Sequence, residues 1–155
     1  MQDNLEIYIS YEDDAWPQNL DVIAKKVIFL TIKTCKIVID APSEISILLT
    51  NDKAQKTLNK QFLNIDKSTN VLSFPALVPS EQIKGMMGDI SLAYETLKSE
   101  ANEMEISFED HFAHLIVHGV LHLLAYDHID EKQADIMESL EVQILAQLGI
   151  KNPYK

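Results

Sequence analysis

Two histidines four residues apart, His118 and His122, stand in the run HGVLHLLAYDH, with a third, His128, six residues further on. On a helix, such an i, i+4 pair lies about 40° apart around the axis and about 6 Å apart along it. Two imidazoles so placed can grip one metal ion from the same side. His128 reaches that ion only if the helix stops and the chain folds back, and Ala125-Tyr126-Asp127 occupy the place where it must turn. Three neutral imidazoles leave a dication its full charge and an open coordination position, as in a catalytic rather than a structural zinc site. Histidines satisfied by core hydrogen bonds are the plainer alternative; that account suits one His better than this spaced set. The spacing equals that of the ligands in the metzincin signature H-E-x-x-H-x-x-G-x-x-H. Gly119, however, stands where that signature places its general base, so peptidase chemistry is not expected.

The elements that must position these residues can be read along the chain. Residues 5–10 alternate as a strand, and Leu20, Ile23, Ala24, Val27 and Leu30 mark an amphipathic helix to about Cys35. Residues 44–50 read as a second strand. Asn51 or Asp52 then caps a helix from Lys53 to about Phe62. Residues 69–75 and 87–92 read as two further strands, the latter leading into a helix over 93–101. Ser107 with Asp110 predicts the start of a helix over about 108–124 that is apolar nearly all round, and therefore central. On it His114 lies one turn before His118, where it is either a candidate catalytic residue, on the substrate side or supporting a ligand, or a merely buried, hydrogen-bonded His; His111 reads as surface. Asp130 with Gln133 starts a last helix through Met137, Leu140, Ile144 and Leu148, closed by Gly149. The expected fold is one α+β domain over 1–155: a small mixed four-stranded sheet packed on helices, with a central buried metal-binding helix.

Composition narrows the function. The 46% hydrophobic content suits a globular chain, and no stretch approaches the roughly eighteen apolar residues of a membrane span. The opening MQDNLEIYIS lacks a positive region before an apolar run, so no secretory signal is expected. Cys35 is the only cysteine and cannot build a disulfide framework, which makes the cytoplasm the expected compartment. The net charge of −11 argues against wholesale coating of nucleic acid. All 13 cationic residues are lysines, so no guanidinium is available to a phosphate. Lys53, Lys56 and Lys60 recur on one helical face with Lys67 just beyond: either a solvated face or a local phosphate track.

The run HGVLHLLAYDH resembles the signature H-G-x-L-H-L-x-G-Y-D-H of the YbeY family of metal-dependent endoribonucleases. Leu58-Asn59, Asp66 and Thr69–Pro75 are similar to a second block of that family, Met87-Gly88-Asp89-Ile90 to a third, and Ala113-His114-Leu115 to the lead-in to the histidines. The resemblance covers roughly residues 44 to 149, with the blocks in the family's order. The resemblance implies a cytoplasmic enzyme that cleaves single-stranded RNA, acts with the ribosome or its small subunit in 16S rRNA 3′-end maturation and quality control, and holds zinc through His118, His122 and His128. Asp127, beside the third ligand, and Asp89, in a strand expected to line the cleft, are the carboxylates available to move a proton. Each has a quieter alternative: Asp127 orienting a His ring, Asp89 accepting a turn or buried hydrogen bond. The chain departs from the family twice, with Ala125 at the glycine where the helix must end and Leu63 at an arginine of the L-N-x-x-Y-R block. That second departure, with the acidic charge, favours one rival reading, a ribosome-associated binding module with a mainly structural metal; a metallohydrolase of another substrate class is favoured only by a narrow cleft.

Overall fold

The structure, a computed structural model, describes residues 4–39, 41–65, 69–76, 85–127 and 129–155. In chain order it comprises β1 (Leu5–Tyr11), α1 (Leu20–Thr34), β2 (Ser43–Thr50), α2 (Asp52–Leu63), β3 (Val71–Pro75), β4 (Gly85–Ala93), α3 (Tyr94–Met104), α4 (Phe108–Leu123) and α5 (Glu131–Gln147). The four strands form one sheet in the order β1-β2-β4-β3. β1, β2 and β4 run parallel, and β3 pairs antiparallel with β4, which makes the sheet mixed as expected.

Local chemistry sets the helix starts. Asn51 accepts the Ala54 N–H at 2.8 Å, Ser107 that of Asp110 at 3.0 Å and Asp130 that of Gln133 at 2.8 Å, each satisfying a donor that the first turn would otherwise leave open. The helix ends are less conventional. Lys36, Asn64, Glu105 and Ala125 all adopt positive φ, in a chain with only 4 glycines.

α4 is the central helix. Phe112, Ile116, Val117 and Val120 on it have no solvent exposure, and Leu115 and Leu121 are buried as well. It packs closely on the sheet at Gly119, where a Cβ would lie 3.1 Å from Ile90 Cγ2 and 3.3 Å from Ser73 Oγ. Ser73 Oγ donates to the Gly119 carbonyl at 3.1 Å. A glutamate at position 119 would thus meet the sheet, which gives the absence of a metzincin-type base a steric as well as a sequence basis. Trp16 is buried beside Tyr94, Phe108 and Phe112, and its indole N–H donates to the Thr50 carbonyl at 2.8 Å. No helix among the described residues is long and apolar enough to cross a membrane.

α4 ends where the sequence predicts a turn. Ala125 N–H donates to the His122 carbonyl at 3.0 Å and Tyr126 N–H to that of Leu121 at 2.9 Å, the paired bonds of a Schellman stop. Ala125 has φ 75°, the left-handed conformation that a glycine adopts without a Cβ penalty. Ala125→Gly is therefore expected to raise unfolding stability by roughly 0.5–1 kcal/mol, after allowing for the freer unfolded chain. Urea denaturation of the two proteins checks this, and an unchanged or lower midpoint would show the Ala penalty to be absent.

Candidate active site

His118 and His122 face one another from successive turns of α4. Their Nε2 atoms lie 3.1 Å apart, with ring centroids 4.6 Å apart and planes at 77°. The two rings open onto a cleft of about 630 Å³, also lined by Asn59, Leu63, Ser73 and Asp127. The pair is held from behind by a residue that the sequence reading did not single out. Glu141 on α5 is buried, and its carboxylate lies 3.2 Å from His118 Nδ1 and 3.1 Å from His114 Nε2. Tyr154, near the C-terminus, donates its hydroxyl to the same group, 2.8 Å from each oxygen.

Burial alone would push the Glu141 pKa up. The hydrogen bonds from His114 and His118, and the charge of those rings, outweigh it and hold the carboxyl at about 2. An ionised carboxylate only accepts, so the facing histidine nitrogens donate: Nδ1–H on His118 and Nε2–H on His114. This assignment leaves His118 Nε2 turned towards His122 Nε2. Burial first, and then the charge and hydrogen bond of Glu141, raise the Tyr154 phenol well above its usual range.

His111, expected at the surface, is buried instead, with Nε2 2.8 Å from Glu100 Oε1. Burial depresses its pKa, and Glu100 opposes that only in part. Glu100 also accepts from Asn70 Nδ2 at 3.0 Å, which ties the loop before β3 to α3 beside the histidine row.

Asp127 lines the cleft and is exposed, as a proton carrier there would need to be. Asp89 requires a correction. Strand alternation turns Ile90 towards α4 and Asp89 towards the opposite face, where it lines a separate depression of about 400 Å³ with Leu58, Phe62 and Phe74. It is not a cleft residue. Lys53, Lys56 and Lys60 are exposed on α2. At 100° per residue, Lys56 and Lys60 fall about 20° and 60° around the helix from Leu63, which lines the cleft. Lys67 and His128 lie outside the described residues.

Two described imidazoles therefore converge, and among the described residues no three His, Cys, Asp or Glu side chains form a metal-holding group. The pair itself fits a metal: two ring nitrogens of the same kind meet at the floor of a cleft, and one ring is oriented by a buried carboxylate on its far side. Glu141 had a faint sequence signal. It interrupts the apolar stripe of α5 between Met137 and Ile144, where a hydrophobic residue is the ordinary choice. Nothing local marks Tyr154.

The comparisons with known proteins identify the family. The family model described as Endoribonuclease YbeY matches residues 7–149, taking in most of β1 and all of α1, which the motif blocks left out. The chain is 45% identical over 159 residues to the Endoribonuclease YbeY of Sinorhizobium fredii, covering 97% of this chain and 92% of that one. It is also 45% identical to that of Agrobacterium fabrum, covering 97% and 95%. Among solved structures, that of TM1509 from Thermotoga maritima covers 93% of this chain and 92% of its own with a TM-score of 0.58; at 21% identity, this supports the fold alone. Sequence, fold and the paired histidines lead to one assignment: the chain belongs to the endoribonuclease YbeY family.

Proposed function

We propose that this chain is a metal-dependent endoribonuclease that cuts single-stranded RNA, acting in the cytoplasm with the small ribosomal subunit in 16S rRNA 3′-end maturation. The observation that carries this reading is the 3.1 Å approach of the His118 and His122 Nε2 atoms at the floor of an open cleft. Zinc is the proposed metal, held by His118, His122 and His128. When bound it would supply charge neutralisation at the scissile phosphate and acidify a water molecule.

The chain's own residues do the rest. Glu141 orients His118 through Nδ1, and Asp127 is the carboxylate at the cleft available to take up or return a proton. His114 has its Nε2–H committed to Glu141, so it acts as a support and does not touch substrate. Lys56 and Lys60, with Lys53 beyond them and Lys67 after α2, form the track along which the RNA backbone approaches past Leu63.

Cleavage of a single-stranded RNA oligomer by protein stripped of metal, then reloaded with zinc, tests the proposal. Activity is expected only after reloading, and cleavage undiminished by a chelator would overturn the metal-dependent reading. The lysine track has its own test. Each of Lys53→Ala, Lys56→Ala and Lys60→Ala should weaken RNA binding and flatten the slope of log affinity against log salt by about 0.7. Leu63→Arg should tighten binding and steepen that slope. Affinities and slopes that do not move would leave these lysines as a solvated face.

A further inference from the structure

The chain beyond α5 returns to α4 through Tyr154. Its ring packs edge-on against His114, with centroids 5.8 Å apart and planes at 88°, while its hydroxyl donates to both Glu141 oxygens. Glu141 thus receives three donors at once, His114 Nε2–H, His118 Nδ1–H and Tyr154 O–H. A glutamate has three side-chain torsions, so one donor alone would leave its carboxylate free to turn. Two donors from α4 and a third from the C-terminal tail hold it from both elements. A neutral histidine carries one ring proton, and a carboxylate that only accepts keeps that proton on the nitrogen facing it. For His118 that nitrogen is Nδ1, which leaves Nε2 as the basic atom turned to His122.

We infer that Tyr154, acting through Glu141, is a positioning residue for the histidine pair: it locks the carboxylate that keeps the His118 proton on Nδ1 and Nε2 directed into the cleft. The effect on metal affinity rests on the function proposed above; the effect on the His118 tautomer does not.

Tyr154→Phe in the full chain removes one oxygen from a ring that is 46% exposed, and folding is not at stake. Glu141→Gln is the stronger change; should it fail to fold, Tyr154→Phe decides alone. Ring ¹H–¹⁵N correlation spectra of metal-free protein report the His118 tautomer. Chelator competition reports zinc affinity, and thermal unfolding reports stability. Wild type should show the Nδ1–H form. Tyr154→Phe should show a mixture of tautomers and several-fold weaker zinc binding, and Glu141→Gln about 10–100-fold weaker binding.

A Tyr154→Phe protein with the wild-type tautomer and wild-type zinc affinity would overturn the inference, whatever its melting temperature, because the tail would then only pack. Failure of the metal reading looks different: wild type itself would bind no zinc. In that event a tautomer shift in Tyr154→Phe still supports the positioning role, and its absence defeats it.

Discussion

His122→Ala should abolish both tight zinc binding and RNA cleavage while leaving the fold intact. His122 is half-buried on the cleft side of α4, so its removal opens no core cavity and breaks no helix cap. What it removes is one of the two ring nitrogens that meet at 3.1 Å. Loss of a partner that merely orients a ligand weakens metal sites by about 10–100-fold; loss of a ligand should exceed that, and cleavage should fall to background. Cys35→Ala provides the control. Burial pushes the Cys35 thiol up despite its hydrogen bond with Tyr126, so it is a poor source of the thiolate that a metal needs. Metal content, chelator competition and RNA cleavage on the two variants decide the matter. A His122→Ala protein that still binds zinc tightly and still cuts RNA would remove the histidine pair from the mechanism.

The residues that the sequence made legible are those whose chemistry is local. Asn51, Ser107 and Asp130 cap helices because their side chains reach a backbone N–H three residues on, and that reach is visible in the sequence itself. The histidine pair is local in the same sense: four residues on a helix fix the separation of the two rings. Ala125 was legible for another reason, since a third imidazole beyond His122 could join the pair only if the chain turned at that place, and its φ of 75° supplies a turn.

Residues whose roles depend on distant partners were read less well. His111 looked like surface until Glu100 from α3 met it. Glu141 and Tyr154 act 23 and 13 residues away from their partners His118 and Glu141, and no helical period links them. Asp89 was misplaced because a sequence gives the alternation of a strand without saying which face looks to the cleft. The helix ends show a related effect. α3 was expected to stop near Ala101 but runs to Met104 and ends at Glu105 with φ 57°, with no glycine to mark the stop.

The largest stability effect is expected at Gly88, in the strand beside the histidines. Its φ is +149°, a backbone region that residues bearing a Cβ scarcely enter, and a Cβ there would lie 2.6 Å from both Leu123 Cδ2 and the Phe74 carbonyl oxygen. The Leu123 contact can relax by a rotamer change. The carbonyl cannot, because β3 is paired to β4 at this point, with Phe74 opposite Asp89 and Pro75 opposite Gly88. Gly88→Ala must therefore shift backbone, and strain plus overpacking should cost about 3–5 kcal/mol, a large share of an ordinary domain's stability. At about 2–4 °C per kcal/mol for a chain of this size, the melting temperature should fall by roughly 10 °C. Gly149→Ala separates the two causes. Gly149 has φ +75° with nothing within 4 Å of a built Cβ, so only the backbone penalty of about 1 kcal/mol applies. Equal losses in the two variants would show that the close approach of β3, β4 and α4 contributes nothing. A much larger loss at Gly88 would place that approach, one residue from His122 through Leu123, among the constraints that hold the histidine helix against the sheet.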